Sequence, residues 1–173
     1  MKTIAILRHG EAEFAGNSDA GRVLTPRGMR NSQVAAETLA AHLSSQVSEM
    51  GPDAVFYSPF VRTHQTADAV LKILNTRSDH PIYFAAEKAL LGDNTPHAVC
   101  LWLDTLPYER ILLISHEPLV SGLVEWLVQG SSSASSNGFD NHPFFPSSLA
   151  ILSAEIVSQG CAELVSMTHH CAN

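Results

Sequence analysis

Apolar runs that never alternate with polar residues recur along this chain, and each is followed by a stretch with helical spacing. The first run is Thr3 to Leu7; others are Asp53 to Tyr57, Ile82 to Ala85 and Arg110 to Ile114. A strand half-exposed to water alternates, so unbroken apolar runs predict strands buried on both faces. Between them lie helix signals. Thr25-Pro26 supplies an N-cap and a first-turn proline, ahead of an apolar face of Val34, Leu39 and Leu43 with alanines between. That helix runs to about Ser48, and Gly51-Pro52 breaks it. Ser58-Pro59 repeats the signal before Phe60, Ala67, Val70, Leu71 and Leu74. Thr95-Pro96 precedes Val99, Leu101, Trp102 and Leu106, and Pro118 precedes Leu119, Leu123, Leu127 and Val128. Leu149 to Ile156 and Ala162 to Met167 read as two closing strands. This alternation predicts an α/β three-layer sandwich: a mostly parallel central sheet with helices on both faces.

With 173 residues, 45% of them hydrophobic and 16% charged, the chain has enough apolar mass for one core, which excludes wholesale disorder. No linker interrupts it, so residues 1–173 are read as one domain. Gly130 to Pro146 carries a run of serines and no periodicity, so a surface loop is expected at about 130–147. A net charge of -7 argues against general nucleic-acid binding, which needs a cationic surface. No span approaches the ~18 apolar residues of a membrane helix, and Ile4 to Leu7 stops at Arg8, too short for a signal peptide. Cys100, Cys161 and Cys171 are odd in number without a C-x-x-C pair, which predicts reduced thiols and a cytoplasmic protein. His97, His169 and His170 meet no metal-ligand spacing and read as surface and tail, and His42 and His64 as helix surface. There is no Gly-rich nucleotide loop. No metal and no cofactor are expected.

Two predicted strands end alike, the first in Leu7-Arg8-His9-Gly10 and the fourth in Ile114-Ser115-His116-Glu117. In open parallel sheets ligands bind at the carboxyl ends of strands, so both histidines are expected in one crevice, with Gly10 letting backbone come close to a ligand. One histidine at a strand end usually just lines a loop; two at equivalent ends, one beside an arginine, point to chemistry. Arg62 falls in the first turn of a predicted helix, the end whose partial positive charge favours anions. A cation there breaks a local rule, and together with the helix end it makes a phosphate site. Arginines clamp phosphate oxygens with forked donors, and a neutral imidazole is a nucleophile near neutral pH. Arg8, His9, Arg62 and His116 together suit phosphoryl transfer, where positioning and charge neutralisation supply most of the catalysis.

Arg8-His9-Gly10, the block Ser58-Pro59-x-x-Arg62-x-x-Gln65-Thr66 and Ser115-His116 together resemble the histidine phosphatase (phosphoglycerate-mutase-like) superfamily. The short length and Leu24-Thr25-x-x-Gly28 resemble its small SixA-like phosphohistidine phosphatase branch. The resemblance runs from residue 2 to about 165. It implies a phosphoglycerate mutase-like fold, His9 as the nucleophile that becomes phosphorylated, Arg8 and Arg62 as a phosphate clamp, and His116 as the second histidine bonding the phosphoryl oxygens. Asp19 and Arg22 match polar positions that edge the pocket.

Larger members of that family protonate an alkoxide leaving group with a carboxylic acid. Glu87, between the third strand and Gly92-Asp93, and Glu11, close behind His9, are the candidates here. An imidazole leaving group needs far less acid help, so a good clamp with a poor acid suits phosphohistidine. The chain also lacks the helical insertions that cap the pocket in larger relatives. An open pocket would admit a histidine displayed on another protein, with the Ser-rich loop and Phe139, Phe144 and Phe145 at its rim. The expected partner is thus a phosphorylated protein such as a histidine-containing phosphotransfer domain, and a monomer is expected. Two other readings are a small-molecule phosphomonoesterase of the same fold and a non-catalytic phospho-binding module. Retention of His9 argues against the module, because binding alone needs only the arginines.

Overall fold

The computed structural model of the chain describes residues 1–14, 18–46, 51–129 and 144–170. The expected serine-rich loop, with Phe139, lies mostly outside the described residues. Six strands form one sheet: β1 (Lys2–Arg8), β2 (Ala54–Tyr57), β3 (Tyr83–Ala86), β4 (Arg110–Ser115), β5 (Leu149–Ala154) and β6 (Ala162–Thr168). Four helices accompany them: α1 (Pro26–Gln46), α2 (Val61–Arg77), α3 (Pro96–Asp104) and α4 (Leu119–Val128). The spatial order is β3-β2-β4-β1-β5-β6. The first four strands run parallel, while β5 lies antiparallel to both β1 and β6.

Right-handed crossovers explain the layers. From β1 the chain moves through α1 and α2 toward the β3 edge, then returns through α3 to place β4 in the gap between β1 and β2. Reversing direction with the same handedness sends the later helices to the opposite face. The strand side chains divide accordingly. Ile4, Ile6, Ile111 and Leu113 pack with Val99 and Leu103 of α3 and Leu123 and Leu127 of α4. Ala5, Leu7, Leu112 and Ile114 pack with Leu39 and Leu43 of α1 and Val70 and Leu74 of α2. These strand residues are at most 1% exposed, so the unalternating runs do mark strands covered on both sides.

Some local expectations change. Val34 is 45% exposed, and α1 buries Ala35, Ala36 and Ala40 beside its leucines, because alanines let it sit close to α2 and the sheet. Leu101 is 61% exposed; Cys100 and Leu103 take the buried face of α3. Asp53 precedes β2 and pairs with Arg110 Nη2 at 2.6 Å, bracing the amino ends of β2 and β4. Thr25 and Thr95 cap α1 and α3 through the N–H groups of Gly28 and Ala98. Ser58 caps nothing. Helix α2 starts at Val61 after Phe60, which makes no side-chain cap bond.

Candidate active site

The register of the sheet builds the site. Arg8 of β1 aligns with Ser115 of β4, so His9 and His116, one residue further on, stand side by side. Their rings lie 5.2 Å apart at 60°. On the other flank of β4, Tyr57 aligns with Ile114, which brings Ser58 level with Ser115 and beside His116. The chain leaves β1 for one face of the sheet and β4 for the other. The crevice therefore opens at the carboxyl ends of these two strands, where the connections diverge. It is a cleft of about 760 Å³ lined by Arg8, His9, Arg62, His116, Asp19 and Arg22, with Glu11, Phe14 and Glu117 among its other walls. That volume suits a small ligand or a side chain from another molecule.

His9 is 7% exposed. Its Nδ1 lies 2.8 Å from the Gly10 carbonyl oxygen. A carbonyl only accepts, so Nδ1 carries the proton and Nε2 carries the lone pair. Arg62 Nε–H donates to that Nε2 at 3.2 Å, which marks the lone pair as pointing into the clamp. Burial is the main force holding the His9 pKa down at about 3; the Gly10 bond opposes it, and His116, Arg62 and Arg8 depress it further. At neutral pH the imidazole is uncharged, as a nucleophile requires.

His116 is 4% exposed and its pKa falls to about 4, chiefly by burial and then by the Arg62 charge. Its Nε2 meets Ser58 Oγ at 2.7 Å. Its ring packs on Phe60 at 4.9 Å, and Phe60 also lies 5.0 Å beneath the Arg62 guanidinium. Arg62 is 6% exposed. It donates through Nη1 to the Asp19 carbonyl at 2.6 Å and through Nη2 to the Asp19 carboxylate at 3.0 Å. Arg8 donates through Nη1 to the Phe144 carbonyl. Burial pulls the Arg8 pKa down, with Glu117 opposing and Arg62 adding to the fall, yet a guanidinium remains charged at any working pH.

Among the described residues, the buried side-chain polar atoms without a hydrogen-bond partner are Arg8 Nε and His116 Nδ1. Both belong to cleft-lining residues. A buried polar atom without a partner is costly, and Arg8 Nε–H is a donor that needs an acceptor from a ligand. A tetrahedral oxyanion between two guanidiniums satisfies that requirement.

The four residues expected to do the chemistry are therefore together. Asp19 and Arg22 line the same cleft, but in a braced arrangement: Arg22 holds Asp19 at 3.3 Å and the Glu13 carbonyl at 2.6 Å, and Asp19 holds Arg62. The candidate acids stand differently. Glu87 follows β3 on the same side of the sheet, yet its Oε1 accepts from Ala89 N–H at 3.1 Å, capping the short 3-10 turn Lys88–Leu90, and it does not line the cleft. Glu11 lines the cleft, but its carboxylate accepts from Thr25 at 2.9 Å and is paired with Arg27. The Arg27 and Thr25 hydrogen bonds hold its pKa below the usual value, so it is ionised at neutral pH and has no proton to donate. Gly10 serves packing rather than ligand approach. A Cβ there would lie 2.6 Å from the Gly28 carbonyl oxygen, so its smallness lets the chain after β1 press on the start of α1. Gln65 and Thr66 hold the cleft loops, accepting from Leu24 N–H at 2.7 Å and Gly10 N–H at 3.0 Å. Phe144 is buried in the core, Phe145 is half exposed against His169, and His169 bonds Ser148 at 2.7 Å instead of trailing free.

The sequence motif contains Ser58 but assigns it no contact, and Phe60 and Glu117 carry no role in it. The signal available was position alone, one and three residues past β2 for Ser58 and Phe60 and one past His116 for Glu117.

Comparison with known proteins agrees with this geometry. The family model for the histidine phosphatase superfamily (branch 1) matches residues 4–81, a span that holds Arg8, His9 and Arg62. The chain is 32% identical over 124 residues to the phosphohistidine phosphatase SixA homolog of Haemophilus influenzae, covering 70% of this chain and 74% of that protein. It is 34% identical over 132 residues to the phosphohistidine phosphatase SixA of Escherichia coli, covering 75% and 76%. The solved structure of the protein histidine phosphatase SixA complexed with tungstate superposes with a TM-score of 0.75 at 26% identity, covering 98% of this chain and 97% of that one.

Proposed function

The chain belongs to the histidine phosphatase superfamily, in its SixA-like branch, and from that premise we propose that it removes the phosphoryl group from phosphohistidine on a signalling protein, through a phosphorylated His9. The observation that carries the reading is the pair His9 and Arg62: a buried, neutral imidazole whose Nε2 lone pair already meets a guanidinium N–H.

The Nε2 lone pair attacks phosphorus, and the substrate's N–P bond breaks with its electron pair going to the leaving imidazole nitrogen, which takes a proton from water. As the His9 N–P bond forms, the lone pair that accepted from Arg62 is consumed, and that N–H turns to a phosphoryl oxygen. Arg8 Nε–H and an N–H of His116 donate to the others. Water then attacks phosphorus, the electron pair returns to Nε2, and inorganic phosphate leaves. Each donor aimed at the transferring group contributes on the order of 2–4 kcal/mol by analogy with a single oxyanion donor.

The disposition of the carboxylates favours this substrate over a phosphate ester. An alkoxide needs a proton from a positioned acid, whereas Glu11 is ionised and Glu87 is engaged in its own turn. A phosphotransfer domain, with its histidine on an exposed surface, suits an open cleft of this size. The thiols support a reducing, cytoplasmic setting: among the described residues, Cys100 and Cys161 form no disulfide. Among the described residues no helix is long and apolar enough to cross a membrane.

The test compares wild type and His9→Ala on a phosphorylated histidine-containing phosphotransfer domain and on p-nitrophenyl phosphate. Fast release from the phosphoprotein, lost in His9→Ala, is expected. Preferential turnover of the ester, or binding of the phosphoprotein without turnover, overturns the reading.

A further inference from the structure

Ser58 has no part in the reaction as drawn, yet its side chain is wholly buried against His116 and has no other hydrogen-bond partner among the described residues. The 2.7 Å contact can be made in two ways. Either the hydroxyl donates to a bare Nε2, which leaves the ring proton on Nδ1, or Nε2–H donates to the hydroxyl oxygen, which leaves a lone pair on Nδ1. The second arrangement strands the hydroxyl proton in a fully buried place. It also leaves a lone pair instead of a donor on a residue that lines a cleft flanked by two guanidiniums, where a bound oxyanion can only accept. The first arrangement satisfies the hydroxyl and makes the unpartnered Nδ1 a donor.

We propose that Ser58 is a positioning residue: it donates its hydroxyl proton to His116 Nε2 and so locks the imidazole in the Nδ1–H form, which presents that N–H to a phosphoryl oxygen. The ring is uncharged at neutral pH, so a partner is needed to choose between its tautomers. His9 is held with its proton on the same nitrogen by the Gly10 carbonyl, to the opposite purpose: there the bare Nε2 is the working atom. The role as donor to phosphate rests on the phosphatase reading; the tautomer lock does not.

Two readouts on the full-length protein separate these. Nitrogen NMR of ¹⁵N-histidine-labelled protein at neutral pH reports which ring nitrogen carries the proton. Wild type should show His116 protonated at Nδ1 and bare at Nε2. Ser58→Ala should populate the Nε2–H form and lower kcat/KM on phosphohistidine by about ten- to a hundredfold, by analogy with losing the partner that orients a metal-bound histidine. Ser58→Thr, which keeps the hydroxyl, should restore both toward wild type. A purely structural serine would lower the melting temperature and leave the tautomer alone. A wild-type proton on Nε2, or a Ser58→Ala protein that keeps the Nδ1–H form, overturns the proposal. A tautomer that shifts as expected in a protein with no phosphatase activity upholds the lock and removes only the catalytic reading.

Discussion

Burying two neutral imidazoles at one site should make this protein sensitive to mild acid. In the unfolded chain both titrate near pH 6.5, whereas in the fold His9 titrates at about 3 and His116 at about 4. The unfolded state then binds more protons than the native state throughout that interval, so stability rises with pH and is lost as pH falls from about 6.5 toward the folded values. At pH 5 each site is about 1.5 units below its unfolded pKa and still uncharged in the fold. Each therefore costs about 2 kcal/mol, and the pair about 4, against a typical total of roughly 5–15 kcal/mol. His170 is also lowered by burial and adds to the slope, while the depressed carboxylates Asp19 and Glu11 give up their share only in stronger acid. A difference measurement removes these contributions. Urea unfolding of wild type and His9→Gln at pH 7 and pH 5, in phosphate-free buffer, should show wild type losing about 2 kcal/mol more than the variant. Equal losses would refute the claim that burial holds His9 neutral.

Arg62→Ala should weaken tungstate or phosphate binding by about 2–4 kcal/mol, read by calorimetry, because it removes a buried donor that already faces the nucleophile. Glu87→Gln should leave phosphohistidine turnover within a few-fold of wild type, since its carboxylate caps a turn; a loss of a hundredfold or more in steady-state assays would show that it reaches the reacting atoms. Gly10→Ala should destabilise the fold by about 1–3 kcal/mol in thermal or urea unfolding, because the new methyl meets the Gly28 backbone, which cannot give way as a side chain can.

The layers and the four central residues were legible because each rests on a local pattern. Unbroken apolar runs marked the doubly covered strands, and matching ends of β1 and β4 placed His9 and His116 together once parallel pairing was assumed. What stayed hidden depends on contacts far apart in sequence. Ser58-Pro59 reads as a helix cap because serine before proline so often is one; only the alignment of β2 with β4 shows the hydroxyl turned to His116 instead. Asp19 was placed at the pocket, but its grip on Arg62 spans a loop and a helix and has no periodic trace. Glu87 was placed beside the right strand end, and the bond it makes to its own turn decides what it does. Val34 and Leu101 are apolar, yet the alanines of α1 and Cys100 of α3 occupy the buried face, because helical phase places residues 35, 36, 39, 40 and 43, and 99, 100 and 103, on one side and leaves Val34 and Leu101 outside it.

The account stands most directly on the fate of the phosphoryl group. Wild-type protein mixed with an isotopically labelled phosphohistidine phosphotransfer domain, quenched within milliseconds under alkaline conditions and digested, should yield label on the peptide carrying His9, in an acid-labile and base-stable linkage that decays as inorganic phosphate appears. Phosphate released with no label on His9 at any time, or label found on His116, would contradict it.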